Sequence, residues 1–177
     1  MERVLGCELR KDGARMKLLL PIDGSLASIN AAKKAFKLAK KDGYTIKMIS
    51  VINQDDIHNY LSNEKAVKHL DGFWTDKHVF PEYNEELFTI LRNKSIELMD
   101  SILAKADVEG VPIEKEVLRG EPYKEIIKTA KIGAFDLIVI GNRGFSKIKR
   151  FFLGSVTNRV ISEAPCPVLV IPAEAEE

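Results

Sequence analysis

The loop over residues 141–153 and the Gly154-Ser155 pair that follows it carry the residue types that bind phosphate groups. Gly141 and Gly144 predict backbone with positive φ, and they leave room for a bulky anion against the main chain. Gly154-Ser155 opens a predicted helix, whose unpaired N–H groups and dipole favour negative charge. The sequence therefore predicts an anion site on this loop, with a hydroxyl donor on Ser155.

The same loop holds a local basic cluster, although the net charge of the whole chain is only +1. These positive charges can offset the negative charges of a triphosphate. Thr157 adds a second hydroxyl to that of Ser155. Each feature also has a simpler explanation: Gly141 as a turn residue, Ser155 as a helix N-cap, and the basic run as a solvated loop. Their convergence at the end of one strand favours the phosphate site. The basic residues are Arg143, Lys147, Lys149 and Arg150.

Two other nucleotide-binding signatures are absent from the sequence. The P-loop motif GxxxxGK[ST] does not occur, since no lysine stands between Gly154 and Ser155, and this excludes an ordinary P-loop NTPase. A GxGxxG motif does not follow the first predicted strand, where only Gly24 occurs. We therefore expect no dinucleotide site of the Rossmann type.

Strands and helices alternate along the chain, and this alternation positions the loop. Apolar runs predict five strands, at 17–23, 45–52, 112–118, 137–140 and 167–171. Amphipathic helices are predicted over 27–41, 82–107, 123–132 and 155–163. The predicted fold is a doubly wound, Rossmann-like α/β domain, in which helices cover both faces of a five-stranded parallel sheet. Such folds bind ligands beyond the carboxyl ends of the strands, here after Asp23, Ile52 and Ile140.

The chain is predicted to form one domain. An N-terminal extension occupies residues 1–15, the core occupies 16–172, and an acidic tail occupies 173–177. An insertion at about 53–81 is polar and aromatic, holds all three histidines, and has a short helix predicted near 64–70. No role is assigned to the extension or to the insertion.

Composition and charge exclude several classes of protein. With 45% hydrophobic and 30% charged residues, the chain has no global signal for binding nucleic acid or an anionic membrane. No apolar run approaches the ~20 residues of a membrane-spanning helix, and residues 1–16 lack the apolar stretch of a secretory signal, so we expect a cytoplasmic protein. Cys7 and Cys166 are expected to be reduced thiols. His58, His69 and His78 lack the spacing of a metal site, so no metal held by the protein is predicted.

Three separated motifs resemble the ATP-binding members of the universal stress protein family. Gly141-x-x-Gly144, nine further residues and Gly154-Ser155 match the family signature G-2x-G-9x-G-[S/T]. The run LGSVT at 153–157, the segment PIDGS at 21–25 and the segment PCPVLV at 165–170 resemble other parts of the family pattern. The resemblance spans about residues 16–172 outside the insertion.

The resemblance implies ATP as the ligand, with Mg²⁺ or Mn²⁺ bridging the phosphates and few protein ligands to the metal. Asp23 and the backbone of Val51 would then face the adenine, in a pocket lined by Pro21 and Ile22. The ribose and the phosphates would lie against Ile140, Gly141, Arg143, Gly144, Gly154, Ser155, Val156 and Thr157.

The resemblance also implies a nucleotide-dependent module in stress response or signalling, whereas the residues by themselves indicate only nucleotide binding. A slow ATPase or an adenylate-transferring enzyme on the same fold is the alternative. We predict no catalytic residue and at most weak hydrolysis, because no general base or nucleophile is evident beside the loop. A structural dimer that has lost its nucleotide is disfavoured by the intact glycine signature.

The last predicted strand favours a homodimer. In the family this strand lies at a sheet edge, and the apolar run from Val168 to Ile171 can pair antiparallel with a second copy. The alternative is an edge that the chain covers itself, for example with the N-terminal extension. The sequence does not indicate another protein partner.

Overall fold

The computed structural model describes residues 13–54, 56–57, 81–144 and 153–173, with residues 81–84 described by their backbone alone. Several parts of the sequence prediction lie outside these residues. They are residues 1–12 of the extension, the helix near 64–70, the tail from residue 174, Cys7, the three histidines, and the basic residues Lys147, Lys149 and Arg150.

In the described part of the chain, five parallel strands form one sheet in the order β3-β2-β1-β4-β5. The strand order reverses between β1 and β4, so a crevice forms at the carboxyl ends of these two strands. The predicted doubly wound α/β fold with a five-stranded parallel sheet is confirmed. The strands are β1 (Lys17–Pro21), β2 (Thr45–Ile52), β3 (Ile113–Arg119), β4 (Leu137–Gly141) and β5 (Val168–Ile171).

Helices cover both faces of this sheet, which explains why the interior of β1 and all of β4 are apolar. Leu18 and Leu20 of β1 pack with the first two helices, whereas Leu19 between them packs with the last two. None of the helices among the described residues is both long and apolar enough to cross a membrane. The helices are α1 (Leu26–Asp42), α2 (Pro81–Leu103), α3 (Pro122–Ile132) and α4 (Ser155–Glu163).

The helices begin and end at local signals in the sequence. Gly43 closes α1 in the left-handed conformation, with φ 76°. Pro122 takes the first position of α3, where its missing N–H breaks no helical hydrogen bond. The prediction of α2 over 82–107 is wrong at its carboxyl end. This helix stops at Leu103 because the backbone tightens there, and the N–H of Ala106 donates to the Leu103 carbonyl three residues back.

The first residues of the predicted insertion pack against the domain. Ile57 is 5% exposed and forms a small cluster with Ile52, at the end of β2, and Leu87 of α2. This cluster holds the chain that leaves β2 against α2.

Met99 packs α2 against the sheet, since its side chain is fully buried among residues of α1, β1 and β2. Met99→Ala should lower the free energy of unfolding by about 2–5 kcal/mol, because it removes buried surface and leaves a cavity. Chemical denaturation measures this change. Glu97→Ala, exposed on the same helix, is the matched control and should change the free energy by less than about 0.5 kcal/mol. Equal stability of the Met99→Ala and wild-type proteins would contradict this packing.

Candidate functional site

A cavity of about 670 Å³ opens where β1, β2 and β4 end. All twelve residues that the sequence analysis assigned to the site line it, although they come from separate parts of the chain. The end of β1 contributes Pro21, Ile22 and Asp23, and β2 contributes Val51. The remaining eight lie at the end of β4 and the start of α4: Ile140, Gly141, Arg143, Gly144, Gly154, Ser155, Val156 and Thr157.

The start of α4 is an open helix end in this cavity. Gly154 is its N-cap and has no side chain to accept a hydrogen bond, so the N–H groups of the first turn lack both a capping oxygen and an intrahelical acceptor. The start of α1 differs, because the hydroxyl of Ser25 accepts from the N–H of Ser28 at 3.3 Å. The start of α4 therefore has more backbone N–H groups left for an anion than the start of α1.

Two hydrogen bonds fix the start of α4 to the end of β4. The N–H of Gly154 donates to the Asn142 carbonyl at 2.8 Å, and the hydroxyl of Thr157 donates to the Gly141 carbonyl at 2.8 Å. Thr157 is 3% exposed, so its hydroxyl proton is engaged inside the protein. The expectation that this hydroxyl donates to a phosphate therefore differs from the structure, in which Thr157 positions α4.

The glycines of the loop provide space rather than unusual backbone angles. Gly141 and Gly144 do not have positive φ, so that part of the prediction is wrong. A Cβ at Gly141 would lie 2.8 Å from the backbone of Ala27 in α1, and one at Gly144 would lie 2.6 Å from Oδ2 of Asp23. The absence of side chains thus lets α1 approach the end of β4 and leaves room beside the Asp23 carboxylate.

The Asp23 carboxylate lies beside the glycine loop. Its Oδ1 accepts hydrogen bonds from the N–H of Ser25 at 2.9 Å and from the Ser25 hydroxyl at 2.6 Å. The same hydroxyl is 3.3 Å from the Arg143 carbonyl oxygen, so Ser25 bridges the end of β1 and the loop after β4. The resemblance implies the adenine end for Asp23, and in the structure its carboxylate lies next to Gly144.

Val51 directs its backbone into the crevice. The register of β1 with β2 ends at Pro21 and Ile49, and the N–H of Ile22 donates to the Ile49 carbonyl at 2.8 Å. The N–H and C=O of a strand residue point to the same side, and successive residues alternate. Val51 lies two residues after Ile49, so its N–H and C=O face the space beyond the end of β1.

The helix α2 forms a wall of the cavity that the sequence analysis missed. Leu91, Lys94, Ser95 and Leu98 line it, and they share one face because they are three or four residues apart. The spacing was visible in the sequence, but nothing in it indicated that this face reaches the ends of the strands. The other lining residues that were missed are Ser25, Ser28, Ile49, Ser50, Ile52, Asn53, Asp56, Pro122 and Ile126.

Within the described residues, no group of three or more His, Cys, Asp or Glu side chains could hold a metal ion. The acidic side chains that line the cavity are those of Asp23 and Asp56. A cation in this cavity would therefore need most of its ligands from a bound molecule or from water.

Comparison with known proteins identifies the family. The universal stress protein family matches residues 14–172. Universal stress protein MJ0531 of Methanocaldococcus jannaschii is 32% identical over 161 residues, which cover 91% of this chain and 84% of that protein. Universal stress protein YxiE of Bacillus subtilis is 30% identical over 155 residues, which cover 88% of this chain and 97% of that protein.

A solved structure gives the same result for the fold. The structure of MJ0577, another universal stress protein of Methanocaldococcus jannaschii, superposes with a TM-score of 0.69 at 25% identity. The superposition covers 90% of this chain and 97% of that one. The chain therefore belongs to the universal stress protein family.

Proposed function

We propose that this protein is an ATP-binding universal stress protein that acts as a nucleotide-dependent module in stress response or signalling. The observation that carries the proposal is the meeting of the glycine loop, the open start of α4 and the crevice beyond β1 in one cavity. One solved universal stress protein, with a TM-score of 0.56 and 20% identity, is a complex with cAMP. The residues of this chain favour a nucleotide with more than one phosphate.

The phosphate end of the proposed site is the start of α4. Backbone N–H groups at a helix start and the helix dipole both favour negative charge. Ser155 is exposed at this start, and its hydroxyl adds a further donor. Arg143 also lines the cavity and contributes positive charge. Several donors around one helix end suit a chain of phosphates better than a single phosphate.

The base end of the proposed site is the crevice beside Val51. Its N–H and C=O offer a donor and an acceptor next to each other, and adenine presents an acceptor nitrogen next to its amino group. Ile22 is 3% exposed, and with Pro21 it gives this end an apolar wall that suits a planar base.

A divalent cation, Mg²⁺ or Mn²⁺, would be held mainly through the phosphates. This agrees with the usual coordination of Mg²⁺ at nucleotide sites, where the ion keeps several waters and binds few protein ligands. When bound, the cation would neutralise part of the phosphate charge.

Binding of ATP tests the proposal directly. ATP should bind at least about tenfold more tightly than AMP, because AMP lacks the phosphates that reach the start of α4; tenfold corresponds to about 1.4 kcal/mol. Gly154→Val combined with Ser155→Ala should abolish ATP binding, since a Cβ at position 154 already lies 3.1 Å from the Cα of Arg143. Titration calorimetry measures both effects.

The control for this double variant is Ser162→Ala, an exposed serine in the last turn of α4. It should bind ATP like the wild type. Unchanged ATP affinity in the double variant, with its fold verified by circular dichroism, would show that the loop is not the site.

Hydrolysis is expected to be slow because the carboxylates that line the cavity are engaged locally. Asp23 accepts two hydrogen bonds from Ser25. Asp56 accepts from the N–H of Asn53 at 2.8 Å, and its own N–H donates to the Asn53 side chain at 2.8 Å. Donors that bind the phosphates equally in the ground and transition states do not accelerate the reaction.

Steady-state turnover should therefore be far below the ~10 s⁻¹ that is typical of enzymes. A phosphate-release assay measures it. A turnover of ~10 s⁻¹ would instead support the alternative of an ATPase, if Asp23→Asn or Asp56→Asn abolished it.

The proposed assembly is a homodimer in which two copies pair through β5, an edge strand of the sheet. The N–H groups of Ile138 and Asn142 donate to the carbonyls of Pro167 and Ile171, so these carbonyls face β4. Because successive residues alternate, Val168 and Val170 direct their N–H and C=O groups away from β4. This outward row is available to pair with a second copy about a two-fold axis.

Val170→Pro should convert the dimer to a monomer, because it removes an outward donor and leaves the hydrogen bonds to β4 in place. Val170→Ala retains the N–H group and should remain a dimer. Light scattering at tens of micromolar protein distinguishes the two states. A monomeric wild-type protein at that concentration would contradict the proposed assembly.

A further inference from the structure

Two serine hydroxyls meet in the wall of the cavity, between β2 and α2. The Oγ atoms of Ser50 and Ser95 are 3.3 Å apart, and both residues line the cavity. Ser50 is 7% exposed. Ile52, Leu91 and Leu98 line the cavity as well, together with Lys94, which precedes Ser95 in α2.

The hydrogen bond between Ser50 and Ser95 uses only part of the hydrogen-bonding capacity of the two hydroxyls. Two hydroxyls supply two protons and four lone pairs, and the bond between them takes one of each. One O–H donor and several lone pairs therefore remain. Because the pair lines an open cavity, a polar ligand group can take up this remaining capacity in place of water.

We propose that Ser50 and Ser95 bind the polar edge of the nucleotide base and so contribute to its selection. This inference rests on the proposed function, because it requires a nucleotide in the cavity. Ser50 adjoins Val51 in β2, whereas α4 follows β4 on the other side of β1, so the pair lies at the base end of the proposed site. Val51 takes one ring nitrogen and one amino hydrogen of adenine, and the remaining donor and acceptors of the serine pair complement the other edge, N7 and the second amino hydrogen.

A purely structural role predicts a different pattern of effects. If the pair only tethers α2 to β2, its loss would loosen the whole cavity and weaken every ligand by a similar factor. If the pair contacts the base, its loss weakens only ligands that carry the base. Inorganic tripolyphosphate, which has no base, separates these two cases.

The experiment compares Ser50→Ala and Ser95→Ala with the wild type by calorimetry. The ligands are ATP, tripolyphosphate and purine riboside 5′-triphosphate, which lacks the 6-amino group. Each variant should bind ATP about 3- to 10-fold more weakly, the effect of one hydrogen bond, and should bind tripolyphosphate like the wild type. Loss of the 6-amino group should weaken binding to the wild type more than binding to either variant.

Ser101→Ala is the matched control, because Ser101 lies exposed on the same helix and donates its hydroxyl to the Leu98 carbonyl at 2.7 Å. It should leave all three affinities unchanged. Ser95 is only half-buried, so Ser95→Ala provides a folded test even where Ser50→Ala unfolds the protein.

Each other outcome overturns the inference in a recognisable way. Equal weakening of ATP and tripolyphosphate identifies the pair as a tether. Unchanged ATP affinity in both variants removes the pair from the site, while ATP binding by the wild type still supports the proposed function. A wild-type protein that binds no ATP overturns the proposed function and this inference together.

Discussion

The close approach of α1 to the end of β4 is the contact on which the rest of the site depends. A Cβ at Gly141 would lie 2.8 Å from the main chain of α1, so a larger residue would displace the helix or the strand. Because α1 starts at this point, Ser25 lies within 3.3 Å of the Arg143 carbonyl and also accepts from the start of its own helix. The hydrogen bonds from Ser25 then orient Asp23 beside Gly144. The conformation around the crevice thus follows from one position without a side chain.

Gly141 also fixes the position of α4, the other helix that starts at the site. Its carbonyl accepts the buried Thr157 hydroxyl, and the next carbonyl, that of Asn142, accepts the N–H of Gly154. Because Gly141 has no Cβ, α1 can pack closely against it. Its carbonyl oxygen binds α4 through the Thr157 hydroxyl. A substitution at this position would disturb both helices, which explains why a signature glycine can be essential without a special backbone angle.

The sequence predicted the fold and the phosphate end of the candidate site from local patterns, whereas the individual residues of the base end were implied by the family resemblance. Alternating apolar runs and helical periodicity place the strands in a doubly wound sheet, and this topology alone brings the end of β1 next to the end of β4. The wall formed by α2 was missed because periodicity identifies a buried face without saying what it covers. The φ angles of Gly141 and Gly144 were wrong because a glycine can be needed for flexibility or for space, and only a neighbour such as Ala27 decides which.

The contrast between the two helix starts shows why the fold by itself does not make a binding site. Both α1 and α4 begin at the carboxyl edge of the sheet, with dipoles that point the same way relative to the crevice. The Ser25 hydroxyl satisfies the Ser28 N–H in the first turn of α1, so that helix start has one donor fewer to offer an anion. Gly154 has no side chain that could do the same for α4. Since the architecture supplies both starts and the cap residue decides which one stays open, function in this fold depends on a few residues at the strand ends.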